Sequence, residues 1–230
     1  MDDANTPTRP DLPPIEATRK DGSERFIDGS PMTLRLSDFW AWSASDVVSN
    51  TQRGALAEFI VGSAIDADTI HDGVRQDWAA YDLQAGDIPV EVKSAAYIQS
   101  WQQSDYSAIS FGYRKTRKYH ADTNELDDEP SRVATVYVFA LLKHQDQPTL
   151  NPLDLSQWEF YVVPTTVLDG RRRSASSITL KSLQRFCCPV PYQELRQRVQ
   201  LAHAFVPGPD ALDGLETATS DWSDWPQAET

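Results

Sequence analysis

Apolar positions follow two different periods along the chain. Residues 52–65 (QRGALAEFIVGSAI) are small or apolar at almost every position and follow the N-cap residues Ser49, Asn50 and Thr51, which predicts a helix buried on nearly every side. Residues 79–101 (AAYDLQAGDIPVEVKSAAYIQSW) alternate instead, and predict two short strands joined by Gly86-Asp87. With that dipeptide as the loop, Ala85 opposes Ile88, Leu83 opposes Val90, Asp82 opposes Glu91 and Tyr81 opposes Val92. Directly opposed residues share a face, so Tyr81, Leu83, Val90 and Val92 form an apolar face, while Asp82, Glu91 and Lys93 stand on the other.

Further on, 132–142 (RVATVYVFALL) is a nearly continuous β-prone run and reads as a central strand buried on both faces. Residues 158–163 (WEFYVV) form another strand, ended by Pro164, and 107–113 (SAISFGY) alternate as a third. Met32 to Leu36 reads as a short strand or an extended arm. Ser37-Asp38 caps a short helix through Phe39, Trp40 and Trp42, an aromatic cluster read as packing. Pro191 opens a helix running to about Ala204, with Val199 and Leu201 as packing residues. The fold class is α/β (α+β), a central parallel or mixed sheet flanked by helices. Residues 1–30 lack an apolar pattern and read as a disordered leader, 31–206 as the folded domain, and 207–230 as an acidic, unstructured tail.

The composition, 40% hydrophobic in 230 residues, is enough for one core. No apolar run approaches the ~18 residues of a membrane span. The N-terminus lacks a basic-then-apolar signal, so a cytoplasmic protein is expected. Cys187 and Cys188 are adjacent, with no CxxC or His cluster beside them; they read as core or near-core thiols rather than a zinc site or disulfide. The net charge of −13 argues against nucleic acid at first sight, but residues 1–24 carry −3 and residues 207–230 carry −6, so the ends hold most of it.

The opposed Asp82 and Glu91 carboxylates repel, which destabilises a sheet without compensation. A divalent cation supplies it, since Mg²⁺ takes one or two carboxylates plus waters and phosphate oxygens. Lys93, on the same face, reaches the same water or phosphate. The plainer reading is a half-exposed hairpin with a surface ion pair.

The set Asp82, Glu91, Val92, Lys93, with eight residues between the two acids, resembles the PD-(D/E)XK nuclease superfamily. The run from Glu91 to Trp101 is also similar to a group of uncharacterised bacterial proteins regarded as restriction-endonuclease-like. The resemblance covers residues 50–165, and Tyr81 stands where the family has a proline. It implies a restriction-endonuclease-like core within 31–206, with Asp82, Glu91, the Val92 carbonyl and Glu58 as metal ligands. Mg²⁺ is the implied cofactor, with Mn²⁺ as a substitute. Glu58, the only carboxylate of its helix, matches the extra acidic residue that the family's preceding helix supplies; its other reading is an ion pair with Arg53 or another base. Lys93 would orient the attacking water and stabilise charge on the phosphorus.

The implied activity is metal-dependent hydrolysis of DNA phosphodiester bonds by an endonuclease, in restriction or phage defence. The other reading is a catalytically silent nuclease-like fold that binds DNA or protein within a larger complex. A two-carboxylate glycosidase is disfavoured because it gives Lys93 no role. Expected partners are DNA, a second copy in a homodimer, and a defence-system protein, with no membrane. For DNA contact the candidates are Gln99 and the basic run Arg114, Lys115, Arg117 and Lys118, which also reads as a solvated loop balancing the acidic 125–129. Asp77 and Asp87 are rival carboxylates. Gln102 and Tyr106 have the spacing of a motif that one branch of the superfamily carries on a helix.

Overall fold

The structure, a computed structural model, describes residues 12–77, 79–120, 123–171 and 176–206. It begins with a hairpin of β1 (Arg25–Asp28) and β2 (Ser30–Arg35), then α1 (Leu36–Ala44), α2 (Asn50–Ile65) and the single turn α3 (Asp68–His71). Next come β3 (Leu83–Ala85), β4 (Ile88–Ala96), β5 (Ser110–Gly112), and a small hairpin of β6 (Tyr119–His120) and β7 (Glu125–Leu126). The strands β8 (Val136–Leu142) and β9 (Trp158–Pro164) follow, then α4 (Thr165–Asp169), β10 (Ser177–Thr179), α5 (Leu180–Leu183) and α6 (Leu195–Ala204).

The fold is mixed α/β around a four-stranded mixed sheet of order β3-β4-β8-β9. β3 and β4 are antiparallel, β4 and β8 parallel, β8 and β9 antiparallel. Gly86 takes φ +61° at the first loop position, where a two-residue II′ turn needs a positive φ. The register then follows by counting: Ala85 opposes Ile88 and Leu83 opposes Val90, as expected. β8 has partners on both edges and all seven of its residues are buried. Its side chains alternate between two cores. Val136, Val138, Ala140 and Leu142 join Val90, Val92 and the α2 and α6 stripes on one face. Tyr137, Phe139 and Leu141 meet Phe111, Val167, Leu168, Ile178 and Leu183 on the other.

Helix α2 starts at Ser49, whose Oγ accepts the Gln52 N–H, and ends at Asp66 in the left-handed region. It buries a single stripe, Ala57, Ile60, Val61 and Ile65, rather than every side; Phe59 is 55% exposed. Gly62 lies in that stripe because a Cβ there would come within 2.7 Å of Ile70 Cδ1 and 3.1 Å of Leu83 Cδ2. This close approach sets α2 against the start of the site hairpin.

Several expectations change. Arg25–Asp28 is a strand, so regular structure begins within the stretch read as a disordered leader. The α1 aromatics are not core packing, because α1 buries no residue and Trp42 is 83% exposed. Cys187 is buried but Cys188 is exposed. Pro191 precedes a 3₁₀ turn, Tyr192–Glu194, and α6 itself starts at Leu195. The acidic run takes part in the β6–β7 hairpin, and Asp127 pairs with His120 at 2.8 Å. The tail 207–230, residues 1–11 of the leader, and Arg172 and Arg173 lie outside the described residues. No helix among the described residues is long and apolar enough to cross a membrane.

Candidate active site

The site sits where β3 stops and β4 continues. β3 covers β4 only as far as Val90, and no other strand among the described residues pairs with that edge. Pro89 O accepts the Thr135 N–H on the β8 side, which puts the peptide groups of Val90, Val92, Ser94 and Ala96 on the opposite, open edge. Proline is tolerated in β4 because its missing N–H would face β8 just ahead of its first residue. On the open edge the Asp82 carboxylate accepts the Val92 N–H at 2.7 Å. Asp82 thus takes the ladder bond that Tyr81 would make if the hairpin were two pairs longer. Tyr81 leaves the expected face and packs against the second core.

Asp82, Glu91 and Lys93 come together. The Lys93 ammonium donates to Glu91 Oε1 and lies 3.8 Å from Asp82 Oδ2. All three side chains are largely buried, at 22%, 19% and 35% exposure. Burial raises the Asp82 pKa to about 6, helped by the Glu91 charge and opposed by Lys93 and the Val92 N–H. Burial works against the charge on Lys93, but Asp82 and Glu91 outweigh it and hold its pKa above the usual value. Tyr137, beside Glu91 in the parallel register, is kept protonated by burial and by that carboxylate.

Glu58 reaches the same place from α2 and adds its field to both Asp82 and Lys93. Its partner is Arg75, not Arg53. Arg75 Nε donates to Glu58 Oε2 at 2.6 Å and Nη2 to Oε1 at 3.0 Å, while Nη1 holds Asp77. Arg75 was not legible in the sequence, because it lies in a loop without periodic pattern. Arg53 and Glu58 are five residues apart and lie on different faces of the helix. Of the rival carboxylates, Asp77 is taken by Arg75 and Asp87 stays in the turn, 91% exposed.

The donors fit a hard divalent cation. Asp82 and Glu91 bring two carboxylates against one ammonium, and the Val92 carbonyl lies on the open edge with Asp82. Among the described residues no three His, Cys, Asp or Glu side chains form a metal-binding group. A Mg²⁺ site completed by waters and phosphate oxygens needs no such cage.

No protein-family model matches the chain. No curated protein matches it.

A cavity of about 710 Å³ opens beside Asp82 and Glu58, with Arg75, Phe59, Tyr81 and Lys118 in its wall. Lys118 is the member of the basic run that lines this cavity, and Arg114, Lys115 and Arg117 stand exposed on the loop before it. Gln99 is 8% exposed, accepts from Arg53 and donates to Ala96 O and Ser107 Oγ, and it lines the polar groove beside the open part of β4. Gln102 and Tyr106 are not on a helix, and the Tyr106 hydroxyl donates to Gln145 O.

Proposed function

We propose that the chain is a metal-dependent endonuclease of the PD-(D/E)XK type that hydrolyses DNA phosphodiester bonds, acting in the cytoplasm in restriction or phage defence. One observation carries the reading: an ammonium held against two crowded, largely buried carboxylates at the open edge of a strand, beside a cavity. A surface ion pair needs neither the burial nor the second carboxylate, and a carboxyl titrating near 6 is the kind of perturbed group that marks functional sites.

Asp82, Glu91 and the Val92 carbonyl would hold Mg²⁺, or Mn²⁺ in its place, with Glu58 as the outer acid. The bound metal would polarise the phosphoryl oxygen and acidify a water. Lys93 orients that water and faces the charge that grows on the phosphate oxygens, the role of a preorganised cation. The Val92 N–H fixes one Asp82 oxygen and leaves the other free to turn to the site. Arg75 keeps the Glu58 charge from repelling the incoming phosphate. Two chains about a two-fold axis would cut both strands of a duplex.

The test is cleavage of duplex and single-stranded DNA by the purified chain with Mg²⁺ or Mn²⁺, beside Lys93→Ala. The wild type is expected to cut, and the variant to lose at least about a hundredfold in kcat. An inert wild type, or an equally active variant, ends the proposal.

A second reading has its own support. Lys93 already pairs with Glu91 and Arg75 with Glu58, as in a purely structural ion cluster within a silent, binding-only subunit. Calorimetric Mg²⁺ titration separates the two, because only the enzyme reading expects binding that Asp82→Asn abolishes.

A further inference from the structure

A polar groove follows the open edge of β4 away from the reacting position, and the scheme above leaves it without a role. It holds about 470 Å³ and runs from Glu58 and Lys93 past Ser94 to Ala96, with Asn50, Arg53 and Gly54 of α2 on one wall and residues 107–110 on the other. Its floor from Lys93 to Ala96 spans about 10 Å at ~3.3 Å per strand residue. The Ser94 peptide N–H points out of that edge with no described strand beside it.

Arg53 is the unusual member. It is 4% exposed, yet each of its hydrogen bonds goes to a neutral acceptor: Ser94 Oγ at 3.2 Å, Val48 O at 3.1 Å, Gln99 Oε1 at 3.0 Å and Asn50 Oδ1 at 2.6 Å. Burial alone moves its pKa, downward. A buried charge is normally paired, because isolating it from water is costly. Glu58 stands at the far end of the groove, but both of its oxygens are held by Arg75. The groove therefore carries a rigid positive charge without a matching carboxylate among the described residues, flanked by the hydroxyls of Ser94, Ser107 and Ser110. The positive charge of the guanidinium, with hydroxyl and strand-edge N–H donors in front of it, suits a tetrahedral oxyanion.

We propose that this groove seats a second backbone phosphate of the cleaved strand, the neighbour of the phosphate that reacts at Lys93. The inference rests on the nuclease reading, and it gives that reading a direction: the cleaved strand runs along the open edge of β4, between α2 and residues 107–110.

The experiment uses the full chain and oligonucleotides with one phosphate at a time replaced by a neutral methylphosphonate on either side of the cut. Replacement at one flanking position is expected to lower kcat/KM about tenfold or more, while more distant positions have little effect. In Arg53→Lys the unmodified substrate is already impaired, and the same replacement costs less than about twofold further. Ser110→Asp, on the exposed rim, introduces a carboxylate without disturbing the core, and is expected to raise KM about tenfold with kcat nearly unchanged.

A wild type indifferent to every flanking replacement, or a Ser110→Asp variant with unchanged KM, overturns the groove while leaving the nuclease reading standing. A wild type that cuts nothing overturns the nuclease reading. The groove is then judged by oligonucleotide binding alone: weaker affinity on the same flanking replacement supports it, and inorganic phosphate binding as tightly as the oligonucleotide overturns it in favour of a small-anion site.

Discussion

Asp82 is the residue on which most of the proposed chemistry turns, and its titration gives a test independent of activity. Its folded-state pKa of about 6 lies above the unfolded value near 4, so the folded chain keeps a proton that the unfolded chain gives up in that window. The stabilisation linked to this proton is complete below about pH 4 and is lost as pH rises through about 6; above that, the ionised group costs about 2–3 kcal/mol. Asp82→Asn should therefore raise the urea midpoint of the metal-free chain at pH 7.5 and lose that advantage near pH 4. Added Mg²⁺ should stabilise the wild type and not the variant. Equal midpoints at every pH would show that Asp82 carries no such strain. The meeting of Asp82, Glu91 and Lys93 was legible because a two-residue loop fixes register by counting. The pairing of Glu58 with Arg75 and the burial of Gln99 against Arg53 were not, because these pairs join segments 17 and 46 residues apart through loops without periodic pattern.

At the scale of elements, alternation marked β4 and β5, and an unbroken apolar run marked β8 as a strand buried on both faces. The pattern failed where burial depended on what lies opposite. An apolar helix was expected to be enclosed, yet α2 is covered along one stripe and turns Phe59 toward a cavity. The aromatic α1 looked like core, but the hairpin beside it, β1 and β2, buries no residue either. Gly62 lets α2 lie close against Ile70 of α3 and Leu83 of the site hairpin. Gly62→Val should push Ile70 and Leu83 away and destabilise the fold by about 1–3 kcal/mol, read as a lower urea midpoint. An unchanged midpoint would mean that α3 and β3 shift freely and do not fix the site.

For the whole molecule, charge sets the terms of any encounter with DNA. A net charge of −13 repels a polyanion, so binding must come from local basic groups. Arg114, Lys115, Arg117 and Lys118 form no ion pair with a described residue, and Lys118 lines the cavity at the site. Replacing all four with Ala should flatten the plot of log affinity against log salt by about 0.9 for each phosphate that is no longer neutralised. An unaltered slope would return the run to a solvated loop.

The early end of β3 has one more consequence. Bare peptide groups along a strand are the usual template for chain-to-chain stacking into fibrils. Here the bare rim of β4 lies at the bottom of a trench walled by α2 and residues 107–110, not on the outer surface. The first turn of α2, capped by Ser49, therefore also shields this rim from other molecules. Ser49→Ala should loosen that turn by about 1 kcal/mol and make mildly heated samples clump, seen by light scattering, before the main unfolding transition begins.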